Sequence, residues 1–550
     1  MEKLLEEKKK NISSIDFFIL IILLILMLDL ELFGIFGDTF FRDYSIIFEG
    51  GYRLTHSQIP YQDFFIPSGP VVFYMQAFFN SIFGTNLISM AFHSFFLAAI
   101  LSVFFYILLR KEFNYLMSFI LSIFFFLSFN GMTFYPFYNL TPYFFFFLNI
   151  FILFIYRKKD NIPNFILVLS AVLATIGVYS KQDVGLLHML FLLFFFLFNY
   201  KKQWRSIIYL YLLPVVVLIA GIYILLSNIS GFAYWFDLGQ PPHISRVFDI
   251  LSPRSIWGVV TSWKFYIVLF LIFSYLYHIF KGKKDSSLSV FFKNNNSLRL
   301  VSFFMIIALT TLISQSTSGI NNNSFSMGDP ILIFLLYILI KENTDFLKSK
   351  GKLIVAYFLI IILLLSVNPF ATYGQLLLNY KNPDLGRVSK GCYSGVLMPK
   401  ASIEGLDTIR NIIGRYGEDF FSMTEYSFLY CDYNIDPPKA VPLWFDENIS
   451  FFEENIPQII QVVKSSSPKV ILLQDAHRKG PRNMTERFEQ EFKNFGYSRV
   501  AIVDAPASYQ KTYYSLGYTK TDIIKIEKTS APIIILVRND LLQNSSIMYN

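Results

Sequence analysis

Asp38, Arg42, Asp43, Glu49, Arg53, His56 and Asp63 fall within one stretch of the chain, DTFFRDYSIIFEGGYRLTHSQIPYQD. A carboxylate beside an Arg stays ionised and can take a proton from a hydroxyl as a general base. The competing reading is a solvated loop with ordinary charges. A second group is YSKQDVG, where Lys181, Gln182 and Asp183 follow directly on an apolar run. A Lys held at that depth suits the phosphate of a lipid carrier as a point charge. The alternative is a Lys–Asp pair that anchors a tight turn.

Two further polar groups sit between apolar runs. Residues 228–258 mix Tyr234, Trp235 and Trp257 with Asp237, His243, Arg246, Asp249 and Arg254. Such aromatics form an interfacial belt or stack on sugar rings, and Arg246 is a candidate substrate contact. Gln315 to Pro330 carries hydroxyls, amides and one acid, Asp329. It reads as a polar turn or as hydrogen-bonding groups for a polar ligand. P-loop, dinucleotide and zinc patterns are missing from the sequence. Six scattered His argue against a His-built metal centre, while a divalent cation held by carboxylates stays open.

The elements that must position these groups are membrane spans. The 550 residues are 54% hydrophobic and 16% charged, with 63 Phe and a mean hydropathy of +0.47. That composition excludes an ordinary soluble protein. Apolar runs predict an α-helical polytopic membrane protein of about eleven spans: 16–34, 86–109, 115–130, 142–156, 163–180, 184–200, 206–227, 259–280, 300–317, 329–340 and 353–370. With the N-terminus inside, Arg110, Lys111, Arg157 to Lys159, Lys201, Lys202, Arg205, Lys281 and Arg299 fall on inner loops, whereas 131–141 and 318–328 hold no Lys or Arg. The positive-inside rule requires that asymmetry. The net charge of +8 is therefore a topology signal and does not imply a nucleic-acid partner.

The run 70–83, PVVFYMQAFFNSIF, is too short to cross, and a crossing would put Arg110 outside. It is expected to lie at the outer surface as an amphipathic or re-entrant helix. Gly50, Gly51 and the Pro-rich end of the first outer loop (35–85) predict a turn that folds this loop back on the membrane. The reading divides the chain into a transmembrane catalytic domain, 1–370, and an extracytoplasmic α/β domain, 371–550. In the latter, PKVILLQD and APIIILVRND read as strands, and 401–417 and 483–496 as helices ending at Gly. Cys392 and Cys431, both in this part, form either a disulfide or two buried thiols.

Asp43, Gly50, Gly51, Pro60, Tyr61, Asp63, Phe64, Gly69, Pro70, Tyr74, Phe83 and Gly84 together resemble the first outer loop of C-type (GT-C) membrane glycosyltransferases. The pattern is similar to the bacterial branch of protein O-mannosyltransferases, lipid A aminoarabinose transferases and lipopolysaccharide-core sugar transferases. Ser180 to Gly185 resembles a K-Q-x-x-G stretch of that branch. The resemblance implies an inverting transferase in a bacterial inner membrane, N-terminus cytoplasmic and C-terminal part periplasmic or extracellular. It would move a sugar from a polyprenyl-phosphate donor to a lipid, glycan or protein acceptor on the outer face. It assigns the base to Asp43, with Asp38 as runner-up, and substrate contacts to Arg42, Tyr61, Asp63, Lys181, Gln182, Asp183 and Arg246. Relatives often carry a second acid in the next outer loop; 131–141 has none, which leaves Asp183 or Asp63 for that part or a reaction without metal. Two other classes compete. An O-antigen-type polymerase or ligase would show Arg-rich outer loops, and a lipid-linked sugar transporter or flippase would show mid-span charges and repeats.

Overall fold

The computed structural model describes residues 13–37, 41–130, 134–136, 138, 140–229, 265–266, 268–269, 295–317, 328–343, 369–445, 450, 453–474, 483–505 and 532–547. Apolar helices dominate the first part: α1 (Ser14–Gly37), α2 (Phe41–Thr55), α3 (Val71–Phe83), α4 (Leu87–Leu109), α5 (Tyr115–Asn130), α6 (Leu140–Ile155), α7 (Asn164–Ser180), α8 (Gln182–Asn199), the continuous helical run α9 (Lys201–Ser227), α10 (Asn295–Thr317) and α11 (Asp329–Asn343). Among the described residues, α1, α4, α8 and α9 are long and apolar enough to cross a membrane, and six further apolar helices are shorter. The expected spans 259–280 and 353–370 lie almost wholly outside the described residues.

The two ends of the helical bundle differ in chemistry. At one end Asp16, at the start of α1, accepts hydrogen bonds from Tyr106 Oη (2.8 Å) and from Arg110 Nε at the far end of α4. Arg299 Nη1 donates to the carbonyls of Arg157 (2.7 Å) and Lys159 (2.6 Å). Arg157 in turn lies 3.9 Å from Glu112. Arg110, Arg157, Lys159 and Arg299 therefore share one end of the described helices.

The opposite end carries α2, a two-residue strand β1 (Phe64–Phe65) and α3. Thirteen residues of helix rise about 20 Å, short of the about 30 Å apolar core of a bilayer. A buried polar seam fixes where α3 lies. Gln76 Nε2 donates to Asn80 Oδ1 (2.7 Å) and Ser89 Oγ (3.1 Å), and Gln76 Oε1 meets His93 Nδ1 at 3.0 Å. Ser89 and His93 belong to the first two turns of α4, and with Asn80 meeting Ser89 and Gln76 meeting His93, α3 runs antiparallel beside the start of α4. Its outer face exposes Tyr74, Phe78 and Ile82.

Gly50 and Gly51 depart from expectation. They sit inside α2 and make no turn. A Cβ at Gly50 would stand 2.2 Å from the Phe73 ring, and one at Gly51 would stand 2.5 Å from Gln76 Cγ. Glycine is needed here because α2 and α3 touch, not because the chain reverses.

After α12 (Pro369–Lys381) the chain forms short strands β2 (Leu385–Arg387) and β3 (Leu397–Pro399), helix α13 (Lys400–Tyr416) and β4 (Phe420–Met423). Next come α14 (Leu429–Asp432), β5 (Val441–Pro442), α15 (Ile456–Ser466), β6 (Val470–Gln474), α16 (Asn483–Asn494), β7 (Tyr497–Val503), β8 (Ile533–Arg538) and α17 (Asn539–Ile547). Strands order β4-β6-β8-β7, with β4 parallel to β6 and the other pairs antiparallel. All five residues of β6 are buried, which explains its unbroken VILLQ run.

Candidate active site

Arg42 and Asp43 lie in the first turn of α2, with their side chains outside the described residues, as are Asp38 and Arg246 altogether. Helix α2 is enclosed by the rest of the protein. It is amphipathic, and residues 44–52 are buried on every face. Tyr44 packs its ring against Tyr135 (5.6 Å) and Tyr393 (5.4 Å), and Phe48 packs edge-on against Tyr393 (4.9 Å).

Polar groups hold the other side of α2. Arg53 is 2% exposed and places Nε and Nη2 on Glu49 Oε1 at 2.8 and 2.6 Å. Its Nη1 donates to Gln58 Oε1 (3.0 Å) and to the Pro438 carbonyl (2.8 Å). Burial pushes the Glu49 carboxyl up while Arg53 pulls it down, and burial is the larger influence. Tyr52 Oη donates toward the carbonyls of Tyr430 (3.2 Å) and Ile435 (3.0 Å), Gln58 Nε2 to Pro437 O (2.7 Å), and Ser427 Oγ to Ser45 O (2.9 Å). Glu49 and Arg53 thus fasten the helix to residues 427–438.

The Pro60-Tyr61-x-Asp63 stretch is a closed turn. Tyr61 adopts φ 66°, a strained value for a side-chain-bearing residue, and its buried hydroxyl donates to Ser68 O at 2.8 Å. Asp63 accepts from Ile59 N (2.8 Å) with one oxygen, and its other lies 3.2 Å from Lys439 Nζ. The turn delivers Phe64 and Phe65 to pair in parallel with Val441 and Pro442. Tyr61 and Asp63, expected as substrate contacts, are engaged in shaping the loop.

Lys181 stands in extended conformation between α7 and α8. Its carbonyl accepts from Gly185 N (2.8 Å), and a Cβ at Gly185 would stand 2.4 Å from Gly177 O. The K-Q-x-x-G spacing is explained by this close crossing of α7 and α8. Lys181 is 9% exposed, with Nζ 3.7 Å from Asp183 Oδ2 and 5.8 Å from the centre of the Tyr138 ring. The Oε1 of Gln182 is buried and has no hydrogen-bond partner among the described residues.

Gly69 joins the two motif regions. A Cβ there would stand 1.9 Å from Tyr179 O and 3.0 Å from Ser180 O. The Ser68-Gly69-Pro70 turn is thereby pressed backbone-to-backbone on the end of α7, next to Lys181. From Val71 onward, Tyr74, Met75, Phe78, Phe79 and Phe96 line an apolar groove of about 300 Å³.

Cys392 and Cys431, left open between bond and thiols by the sequence, are bonded in the structure. The bond joins the residue before Tyr393 to α14. Asp432 accepts from Cys392 N (2.7 Å) and lies against Arg410 Nη2 at 2.5 Å.

Residues 67–225 match the dolichyl-phosphate-mannose-protein mannosyltransferase family. The matched segment begins in the Gly69 turn, contains Lys181 and ends within α9. It agrees with the glycosyltransferase resemblance read from residues 38–84 and 180–185. Two solved structures are similar at low identity. The crystal structure of ArnT from Cupriavidus metallidurans bound to undecaprenyl phosphate has a TM-score of 0.45 and 10% identity, covering 87% of this chain and 96% of that one. The apo state of the same protein has a TM-score of 0.44 and 11% identity, covering 94% and 98%. No curated protein matches the sequence.

Sequence reasoning passed over several residues. Tyr138 and Tyr135 are plain aromatics of a loop that attracted attention only for lacking an acid. Glu31 is another, although a carboxylate inside an apolar run is itself a signal.

Proposed function

We propose that this protein is a membrane glycosyltransferase that moves a sugar from a polyprenyl-phosphate donor to an acceptor hydroxyl on the outer face of the membrane. The observation that carries the reading is the contact of Gly69 with Tyr179, inside the matched segment. It brings the first outer loop and the Lys181 turn into one place.

In this reading Asp43 takes the acceptor proton as the new glycosidic bond forms, and the polyprenyl phosphate departs with the bonding electrons. A phosphate is already a good leaving group, so base activation and placement supply most of what is required. Lys181 meets the phosphate as a point charge, and Asp183 and Tyr138 hold its ammonium group at the site. The apolar groove on α3 begins two residues beyond Gly69 and offers the carrier's tail a surface to lie against. No Arg-rich outer loop supports the polymerase or ligase alternative, and transport has no repeat to support it.

The test is turnover in vesicles with polyprenyl-phosphate mannose and with polyprenyl-phosphate aminoarabinose as probes. Asp43→Asn, inserted at normal level, is expected to lower transfer by about a thousandfold or more, in the upper range of a lost general base. Lys181→Ala is expected to raise KM for the donor and leave KM for the acceptor near its original value. Full activity in Asp43→Asn refutes the base, and an unchanged donor KM refutes the phosphate contact.

A further inference from the structure

Glu31 lies in α1, seven residues before Asp38, and is fully buried. Its Oε2 accepts a hydrogen bond from Asn130 Nδ2 at the last residue of α5, and its Oε1 has no hydrogen-bond partner among the described residues. Ser94 of α4 and Tyr373 of α12 face the same carboxylate. Asn130 Oδ1 is likewise buried and unpartnered. Among the described residues no Lys or Arg pairs with Glu31.

Stability does not explain such a group. A carboxyl inside a membrane helix is costly, and replacing a buried polar pair with apolar side chains of similar volume is often neutral or stabilising. What the Glu31–Asn130 bond does is join two helix ends. From the end of α1 the chain runs on to α2, and from the end of α5 it runs on to Phe134 and Tyr135. Phe134 lies against Gly34, where a Cβ would be 2.0 Å from its ring, and against Tyr373 at 5.1 Å. Tyr135 packs on Tyr44, the neighbour of Asp43.

We infer that Glu31, through Asn130 and the Phe134–Tyr135 stretch, is a positioning residue that fixes the first turn of α2 and with it Asp43. This rests on the base assignment above only for its effect on turnover. The geometric claim stands apart from it.

The double variant Glu31→Leu with Asn130→Leu in the full-length protein is expected to lower kcat about tenfold or more, as small misplacements of reacting groups do, while the donor KM stays within about twofold. Because both partners are replaced, its thermal midpoint should equal or exceed that of the native protein. Glu31→Gln keeps a carbonyl oxygen for Asn130 and should restore kcat to within about threefold of the native value. A second readout needs no turnover. In Asp43→Cys the thiol is labelled by a water-soluble maleimide, and adding Glu31→Leu should change that labelling rate several-fold, whereas adding Glu31→Gln should not. Unchanged labelling overturns the inference. So does a fall of kcat and thermal midpoint together, which marks a purely structural residue. If the native protein turns over neither donor, the functional reading fails and labelling alone decides the role of Glu31.

Discussion

Two regions carry the candidate chemistry, and they are held in opposite ways. The Lys181 turn is held locally, by Gly185 against Gly177 and Lys181 beside Asp183. Helix α2 is held from far along the chain, by Tyr430, Ile435 and Pro438, with Tyr393 packed against its aromatic face. A local device of glycines and close backbones leaves a motif in the sequence. A long-range device of buried side chains leaves only scattered residues whose partners cannot be read in advance.

The contrast can be broken first at Gly69. Gly69→Ala puts a methyl on a carbonyl oxygen, and the loss of transfer should approach about a hundredfold, because backbone cannot step aside as a side chain can. Turnover near the native value would show that the two regions are not pressed together. Next is the buried pair of α2. Arg53→Met leaves Glu49 buried and unpaired, with an expected cost of about 3–5 kcal/mol in thermal or denaturant unfolding, whereas Glu49→Leu with Arg53→Met should recover most of it. Equal loss in both variants would mean the charges matter for more than each other.

A smaller effect is expected from the disulfide. Cys392→Ser with Cys431→Ser should lower stability by about 2–4 kcal/mol and loosen α2 more than the Lys181 turn, as read by protease nicking or hydrogen exchange. The smallest lies on the sheet, away from both regions. Hydrogen bonds from Arg499 hold the Glu489 carboxyl below its ordinary value, with Lys493 adding to the effect. A lowered acid contributes stability that is present above the ordinary carboxylate range and is lost as pH falls through its folded value. Arg499→Leu should therefore cost stability at neutral pH and little once the pH has fallen below the lowered folded value. Both partners of Glu489 are partly exposed, so salt should shrink the difference.

Several elements were legible because one local rule governs them. The helices α4, α5 and α7 follow from apolar runs with polar stops, and β6 and β8 from short buried runs beside turn residues. The Lys181 turn was legible for the same reason. Helix α2 was not: its Gly-Gly pair imitates a turn, and only the nearness of α3 shows why two glycines sit inside a helix. Tyr61 and Asp63 carried the motif resemblance, yet their atoms are engaged within the turn, because a motif records residue type and not the partner each atom finds.

By itself the sequence determined that the chain is apolar enough for a membrane, that its basic residues cluster between apolar runs, and which polar stretches merit chemistry. Those are properties of composition, length and charge spacing, and water and lipid act on them directly. Tertiary structure alone decided that Gly69 meets Tyr179, that Glu49 and Arg53 fasten α2 to residues 427–438, that Cys392 reaches Cys431, and that Glu31 finds Asn130. Each joins groups far apart in the chain, and burial makes such a pair costly to leave half-formed without writing the partner's number into the sequence.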